Sequence, residues 1–319
     1  MKVIFMGTPD FAVGTLRAII EEGHEVSLVV TQPDKPKGRG GKMVISAVKE
    51  AALEYELPIF QPDRIRKEEN IAYLREYEAD VIVVVAFGQI LPKEILEMPK
   101  YGCVNVHASL LPKYRGAAPI QWAVIAGEKV SGVTTMHMDE GLDTGAILLQ
   151  REIELAEDET GGSLFDRLSQ VGAELLVETL KGLEEGTISE RAQDDSLASH
   201  TSIIKKSFGE INFTKPAKEI ECLIRGLNPW PSAFTHYNGK LLKIWKAQVL
   251  TEEEAKGPLS ADFSEAKAGE IVGITKHSLF IKTGEGLLSV LELQLEGKKR
   301  MEIDAFLRGV QIKEGEILC

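Results

Sequence analysis

The sequence predicts an α/β protein in which a doubly wound domain is followed by a smaller β-barrel domain. Three features predict this. Short β-branched runs alternate with helical patterns over the first 150 residues, a polar aperiodic stretch follows near residue 190, and beyond Lys205 the texture changes to short alternating runs punctuated by glycines. A chain of 319 residues suits two domains better than one. The expected division is a doubly wound domain at 1–188, a linker at 189–205 and a barrel domain at 206–319.

Taken in order, Val3–Met6 reads as a short buried strand, and Pro9–Glu22 as a helix with Phe11, Leu16, Ile19 and Ile20 on its apolar face and Gly23 as its stop. Val26–Thr31 is the next strand. A polar glycine- and lysine-rich loop, Gln32–Lys42, leads to a helix over Ala47–Tyr55. Val81–Phe87 is β-branched at almost every position, as a parallel strand covered on both faces must be. Cys103–His107 and Val133–Met138 add further strands. Leu164, Leu168, Val171, Leu175, Leu176 and Leu183 recur at helical spacing and predict a long amphipathic helix over Gly162–Glu185. In the last third, Leu241–Trp245, Glu270–Ile274, Leu279–Lys282 and Leu287–Leu293 are the strand candidates.

Composition narrows the function. Hydrophobic residues at 44% and charged residues at 27% describe a globular chain, and no apolar run approaches the ~20 residues of a membrane span. No signal-peptide pattern opens the sequence, and three scattered cysteines offer neither a disulfide framework nor a CxxC motif, so a cytoplasmic protein with no membrane partner is expected. The net charge of −12 argues against non-specific coating of nucleic acid. That charge is uneven: residues 1–204 hold 20 Lys and Arg against 33 Asp and Glu (net −13), whereas 205–319 hold 17 against 16 (net +1).

Gly7 follows the first strand, yet the spacing to Gly14 fits no dinucleotide fingerprint, and no GxxxxGK[ST] phosphate loop is present; a tight structural turn is the simpler reading. More informative are Asn105 and His107 at the end of a strand. Alternation places them on one face, where an amide and an imidazole can donate to an oxygen that gains charge in acyl transfer; the alternative is a pair that merely caps the strand. Asp143, in the glycine- and acid-rich loop Asp139–Gly145, can orient His107 or relay a proton from an attacking amine. A Ca²⁺ or Mg²⁺ site there is the weaker alternative, since EF-hand spacing is absent, and the histidines show no metal-ligand spacing; no metal is expected. Lys35, Lys37, Arg39 and Lys42 in the 32–42 loop are suited to a phosphate backbone, or to a solvated surface.

Several of these stretches closely resemble the methionyl-tRNA formyltransferase family: GTPDFAV at 7–13, TQPDKPKGRGGK at 31–42, NVHASLLPKYRGAAPIQWAVIAGE at 105–128, DEGLDTGAILL at 139–149 and LNPWPSAFT at 227–235. The resemblance spans nearly the whole chain. It implies a Rossmann-like domain joined to an OB-like barrel, with 10-formyltetrahydrofolate as co-substrate and methionyl initiator tRNA as partner. It places the family's catalytic residues on Asn105, His107 and Asp143, its folate contacts on Ser109, Leu110, Leu111 and Pro112, and its tRNA loop on Gln32–Met43, with Lys35, Lys37, Arg39 and Lys42 as tRNA-binding residues and a monomer as the expected state. Ala146, Ser232 and Phe213 depart from the family's usual residues without touching the Asn–His–Asp set.

The competing enzymes are other formyltetrahydrofolate-dependent transferases, acting on a sugar-nucleotide amine or a purine precursor, and a hydrolase that passes formyl to water. A purine-type enzyme has no need of the C-terminal third, and a sugar-nucleotide enzyme no need of the basic 35–42 loop. A non-enzymatic RNA-binding barrel on a degenerate catalytic fold conflicts with an intact Asn105, His107 and Asp143.

Overall fold

The computed structural model describes residues 1–37, 42–255, 263 and 265–319. They form two compact units, one of residues 1–119, 130–154 and 165–201, the other of residues 120–129, 155–164 and 202–319.

The first unit is built on a seven-stranded sheet. Its strands are β1 (Lys2–Gly7), β2 (Glu25–Val30), β5 (Ile59–Phe60), β6 (Val81–Val85), β7 (Cys103–His107), β9 (Val130–His137) and β10 (Ile147–Glu154), in the order β10-β9-β7-β6-β1-β2-β5. From β7 to β5 every pairing is parallel. Every residue of β6 and β7 is buried, which explains why these runs lack polar alternation. The chain winds outward from β1 in both directions, so the switch point falls between β1 and β6, where α/β sheets open a crevice at the carboxyl ends of their strands.

The other edge is antiparallel: β9 pairs with β7 and β10 with β9. The sheet is thus mixed rather than wholly parallel, for a geometric reason. Only residues 138–146 separate β9 from β10, too few for the crossover of a dozen or more residues that a parallel pair needs.

Helices cover the sheet as the periodicity predicts. The helix Phe11–Glu21 is capped by Asp10, whose carboxylate accepts from the Phe11 N–H, and it buries Phe11, Ala12, Thr15, Leu16 and Ile19. Ser46 caps the helix Ala47–Glu54 by accepting from the Lys49 N–H. In the long helix Gly161–Glu185, Leu168, Leu175, Leu176 and Leu180 are buried, and a Cβ at Gly172 would stand 3.0 Å from Val106 Cγ1. That helix therefore backs the strand that carries Asn105 and His107. Gly7 is a packing glycine: a Cβ there would lie 2.9 Å from both Ala12 Cβ and Phe5 Cε1.

The loop expected at Gln32–Lys42 contains a short antiparallel pair, β3 (Lys35–Lys37) with β4 (Lys42–Val44). Residues 189–201 are folded into the first unit. Arg191 exchanges backbone hydrogen bonds with Ile147, and β11 (His200–Thr201) pairs in parallel with β8 (Arg115–Gly116).

In the second unit, β12 (Ala233–Tyr237), β13 (Lys240–Leu250), β14 (Ile271–Ile274), β15 (Leu279–Lys282), β16 (Leu287–Leu295) and β17 (Met301–Glu302) form one antiparallel sheet, ordered β12-β13-β16-β15-β14 with β17 on β16. Asn238 (φ 49°) and Gly239 (φ 73°) turn the first hairpin, the two-residue signature of matched strand twist. Leu242, Ile244, Leu279, Ile281, Leu288, Val290 and Leu293 form its core with Ile220 and Ile224 of the helix Ala217–Gly226. Among the described residues the strand path has two ends, β12 and β14, so the expected barrel is realised as an antiparallel-sheet domain.

Candidate active site

The site is built on the end of β7. Asn105 and His107 are two residues apart on the strand and therefore share a face, 9% and 7% exposed. Among the described residues no group takes the hydrogen bonds of the Asn105 amide, which leaves them for a bound molecule. The His107 ring meets one group at each nitrogen: Nε2 lies 3.0 Å from the Tyr114 carbonyl, and Nδ1 lies 3.7 Å from Asp143 Oδ2. The first contact is a hydrogen bond if Nε2 carries the proton. The second is an ion-pair distance beyond hydrogen-bond length.

Asp143 reaches this position because its loop is tightly held. Its Oδ2 accepts a 2.7 Å hydrogen bond from the Gly116 N–H, and its backbone adopts φ 54°. Gly116 itself sits at φ 104°, and a Cβ there would come within 2.6 Å of the Thr201 carbonyl, so only glycine presents its N–H to the carboxylate in this way. Tyr114 (φ 60°) and Ala118 (φ 57°) are also left-handed. Four such residues within or facing one short segment mark backbone whose shape is imposed by its surroundings.

The segment Ser109–Pro112, which the family resemblance assigns to folate, forms a turn directly after His107. Thr134 organises it: its hydroxyl donates to the Ser109 carbonyl at 2.7 Å and accepts from the Leu111 N–H at 3.1 Å. Gln150 Nε2 donates to the Leu111 carbonyl at 2.9 Å. Ser109 Oγ is committed to the Lys113 carbonyl (2.7 Å), and Leu111 is buried, whereas Leu110 and Pro112 keep part of their surface exposed. Leu111–Pro112 is a cis peptide.

The basic loop leaves the same end of the sheet, since β3 follows β2 and β2 runs parallel to β1 and, through it, to the rest of the parallel set. Lys35 is exposed on β3; Lys37 and Lys42 are register partners across β3 and β4; Arg39 lies outside the described residues.

Sequence reasoning missed the groups that support the site. Arg115, which sequence alone leaves equally open to a ligand contact or a structural pairing, is 3% exposed and binds Gln193 and Asp195. Gln193, Ser199, Thr134 and Gln150 carry no local motif, and their partners lie 16 to 85 residues away along the chain. Cys103, two residues before Asn105, is part of the core, and burial pushes its thiol up to about 12. Such a thiol supplies no thiolate nucleophile near neutrality. Among the described residues no group of three or more His, Cys, Asp or Glu could hold a metal ion.

An unpartnered amide beside an imidazole, with a carboxylate facing that ring, defines a site for acyl-group chemistry at the mouth of an α/β sheet. Comparison with known proteins gives this class its family. Residues 1–180 match the formyl transferase family model, and residues 203–311 the model of the formyl transferase C-terminal domain. A methionyl-tRNA formyltransferase of Agathobacter rectalis is 59% identical over 315 residues, covering 99% of this chain and 98% of that protein. One of Lachnospira eligens is 59% identical over 318 residues, covering 100% and 99%. In fold, the chain resembles WlaRD, a sugar 3N-formyl transferase solved in the presence of dTDP and 5-N-formyl-THF, with TM-score 0.66 at 20% identity over 94% of this chain and 99% of that one. The chain belongs to the methionyl-tRNA formyltransferase family.

Proposed function

We propose that the protein transfers the formyl group of 10-formyltetrahydrofolate to the α-amino group of methionyl initiator tRNA, giving the formylmethionyl-tRNA used to start translation. The observation that carries this reading is the 59% identity to methionyl-tRNA formyltransferases over both units of the chain.

The chemistry follows from the groups at the end of β7. The neutral methionyl amine attacks the formyl carbon, forming a C–N bond and a tetrahedral intermediate whose oxygen carries the charge. The Asn105 amide donates to that oxygen. His107, held through Nε2 beside the Tyr114 carbonyl with Nδ1 facing Asp143, adds the dipole of its ring at the same strand end. Asp143 orients the His107 ring and accepts the proton that the amine loses. That proton passes to N10 as the C–N10 bond breaks, releasing tetrahydrofolate. Ser109–Pro112 forms the wall against which the folate is placed. Lys35, Lys37, Arg39 and Lys42 supply local positive charge for the acceptor arm of the tRNA, which the net charge of −12 makes necessary. Among the described residues no helix is long and apolar enough to cross a membrane. We place the reaction in the cytoplasm, catalysed by a monomer.

The experiment incubates the purified protein with 10-formyltetrahydrofolate and methionyl initiator tRNA, methionyl elongator tRNA or no acceptor, and follows formyl into acid-precipitable RNA. Formylation of the initiator tRNA alone is expected. Release of formate at the same rate without an acceptor would instead identify a hydrolase.

A further inference from the structure

Residues 190–201 form a strap behind the Asp143 loop, and one side chain joins the two. The Gln193 amide is fully used. Its Oε1 accepts from Arg115 Nε at 3.0 Å and Nη2 at 2.9 Å, while its Nε2 donates to the backbone carbonyls of Asp143 and Gly145, both at 2.8 Å. The Arg115 guanidinium is itself buried and held by Asp195 Oδ1 at 2.8 Å. The strap also fixes the partner of the carboxylate: the Arg115 N–H donates to the Ser199 carbonyl at 2.8 Å, and Thr201 pairs with Gly116, whose N–H binds Asp143 Oδ2. Asp143 is therefore gripped twice, at its side chain through Gly116 and at its main chain through Gln193.

We propose that Gln193 is a positioning residue of the formyl-transfer site, holding Asp143 in its left-handed backbone conformation so that the carboxylate faces His107. The inference rests on the formyl-transfer reading above. The physical argument is that φ 54°, which aspartate tolerates better than most side chains but still populates less than the right-handed region, is selected by the contacts around it, and the held carbonyl is one of them. Gln193 supplies two donors to that turn and, through its oxygen, ties them to a buried cation whose own position is fixed. Without the two donors the peptide after Asp143 is free to rotate, and the carboxylate moves with it. Gln193 touches neither substrate nor reacting atoms in this scheme, so its effect must pass through Asp143.

This gives a test that separates positioning from general support. Gln193→Glu keeps the length of the side chain and the acceptor for Arg115 but removes the donors to Asp143 and Gly145; Gln193→Leu removes both. In the full-length enzyme, Gln193→Glu is expected to lower kcat about 10- to 100-fold, the scale of a misplaced catalytic group, with KM for both substrates within about two-fold. In an Asp143→Asn background the same change is expected to lower kcat by less than about two-fold, because the group it positions is already disabled. Equal fold-losses in both backgrounds, or native kcat in Gln193→Glu, would overturn the proposal while leaving the formyl-transfer reading intact. Native kcat in Asp143→Asn alone would overturn the role of Asp143 and this proposal with it. Should Gln193→Leu unfold, Gln193→Glu carries the comparison.

Discussion

Asp143 Oδ2 stands 3.7 Å from His107 Nδ1 while accepting a 2.7 Å hydrogen bond from the Gly116 N–H. The carboxylate is thus held by the protein backbone and faces the ring at ion-pair distance. It is placed to orient the imidazole, and contacts of this kind commonly tighten only in the complex with substrate. Removing either partner should therefore damage turnover more than binding. His107→Ala and Asp143→Asn are each expected to lower kcat by at least ~100-fold, the usual effect of losing one oxyanion-stabilising group, with tRNA affinity little changed. Single-turnover formylation together with filter binding of the charged tRNA checks both parts. Near-native turnover in the two variants would remove these side chains from the mechanism.

Direct transfer requires no covalent enzyme intermediate, and Cys103 is the nearest thiol in sequence to the site. Burial raises its pKa to about 12, and its Sγ donates to the Ile95 carbonyl at 3.5 Å. Iodoacetamide at pH 8 should modify the exposed Cys319 and leave Cys103 untouched in the native protein, as read by mass spectrometry of peptides. Cys103→Ala should cost about 1–2 kcal/mol in urea unfolding, from the small cavity left in the core, while kcat stays native. A large loss of kcat in a folded Cys103→Ala protein would give Cys103 a part in the chemistry.

How much of this was legible in the sequence depended on how local the cause was. The Asn105–His107 pair could be found because strand alternation alone puts residues two apart on one face. The long helix Gly161–Glu185 could be found because its leucines repeat at helical spacing. Asp143 was reachable only through its loop and the family resemblance, since nothing in the spacing brings it to a residue 36 positions earlier in the sequence. Arg115 shows the limit. From sequence it reads equally as a ligand contact or a structural pair, and its partners Gln193 and Asp195, 78 and 80 residues away, decide for the pair and allow it to be buried. Over 189–205, polar residues without periodicity suggest a linker, and what composition cannot show is that the polarity of Gln193, Asp195 and Ser199 is turned to hydrogen bonds with the first unit.

The Asp143 loop should also respond to a single methyl group. A Cβ on Gly145 would fall 1.7 Å from the His137 carbonyl, so Gly145→Ala forces the loop to move. The ordinary gain from Gly→Ala, about 0.4–1 kcal/mol through the unfolded chain, is outweighed by an overpacking cost of about 1–3 kcal/mol. Urea denaturation is expected to show net destabilisation, and kcat should fall because the displaced segment carries Asp143. An unchanged kcat would mean that the loop moves without carrying its carboxylate.

Stability should depend on pH at the amino terminus. His24 Nδ1 lies 3.1 Å from the terminal ammonium, and burial, together with that positive charge, lowers the His24 pKa in the folded state. The unfolded chain, with an ordinary histidine pKa of about 6.5, then binds the proton more readily than the folded one, so stability falls as pH drops below that value. Above it both states are neutral at His24 and the contribution is constant. Melting temperatures of wild type and His24→Gln, compared at pH 7.5 and pH 5, test this: the acid-induced decrease should be smaller in the variant. Equal decreases would assign the slope to other groups.

The basic loop makes the last prediction, and salt tells its role apart from folding. If Lys35 and Arg39 meet tRNA phosphates, each contact releases about one counterion, so Lys35→Ala or Arg39→Ala should reduce the slope of log K against log salt by about one. Lys35 is exposed on β3, so its loss removes charge without opening a core. KM for the methionyl-tRNA should rise in either variant while KM for 10-formyltetrahydrofolate stays fixed, because the Ser109–Pro112 segment proposed to hold the folate is held separately by Thr134 and Gln150. Binding of charged initiator tRNA measured across a salt titration, alongside the two KM values, decides the matter. An unchanged slope with both variants would return the loop to a solvated surface and leave the tRNA to another part of the molecule.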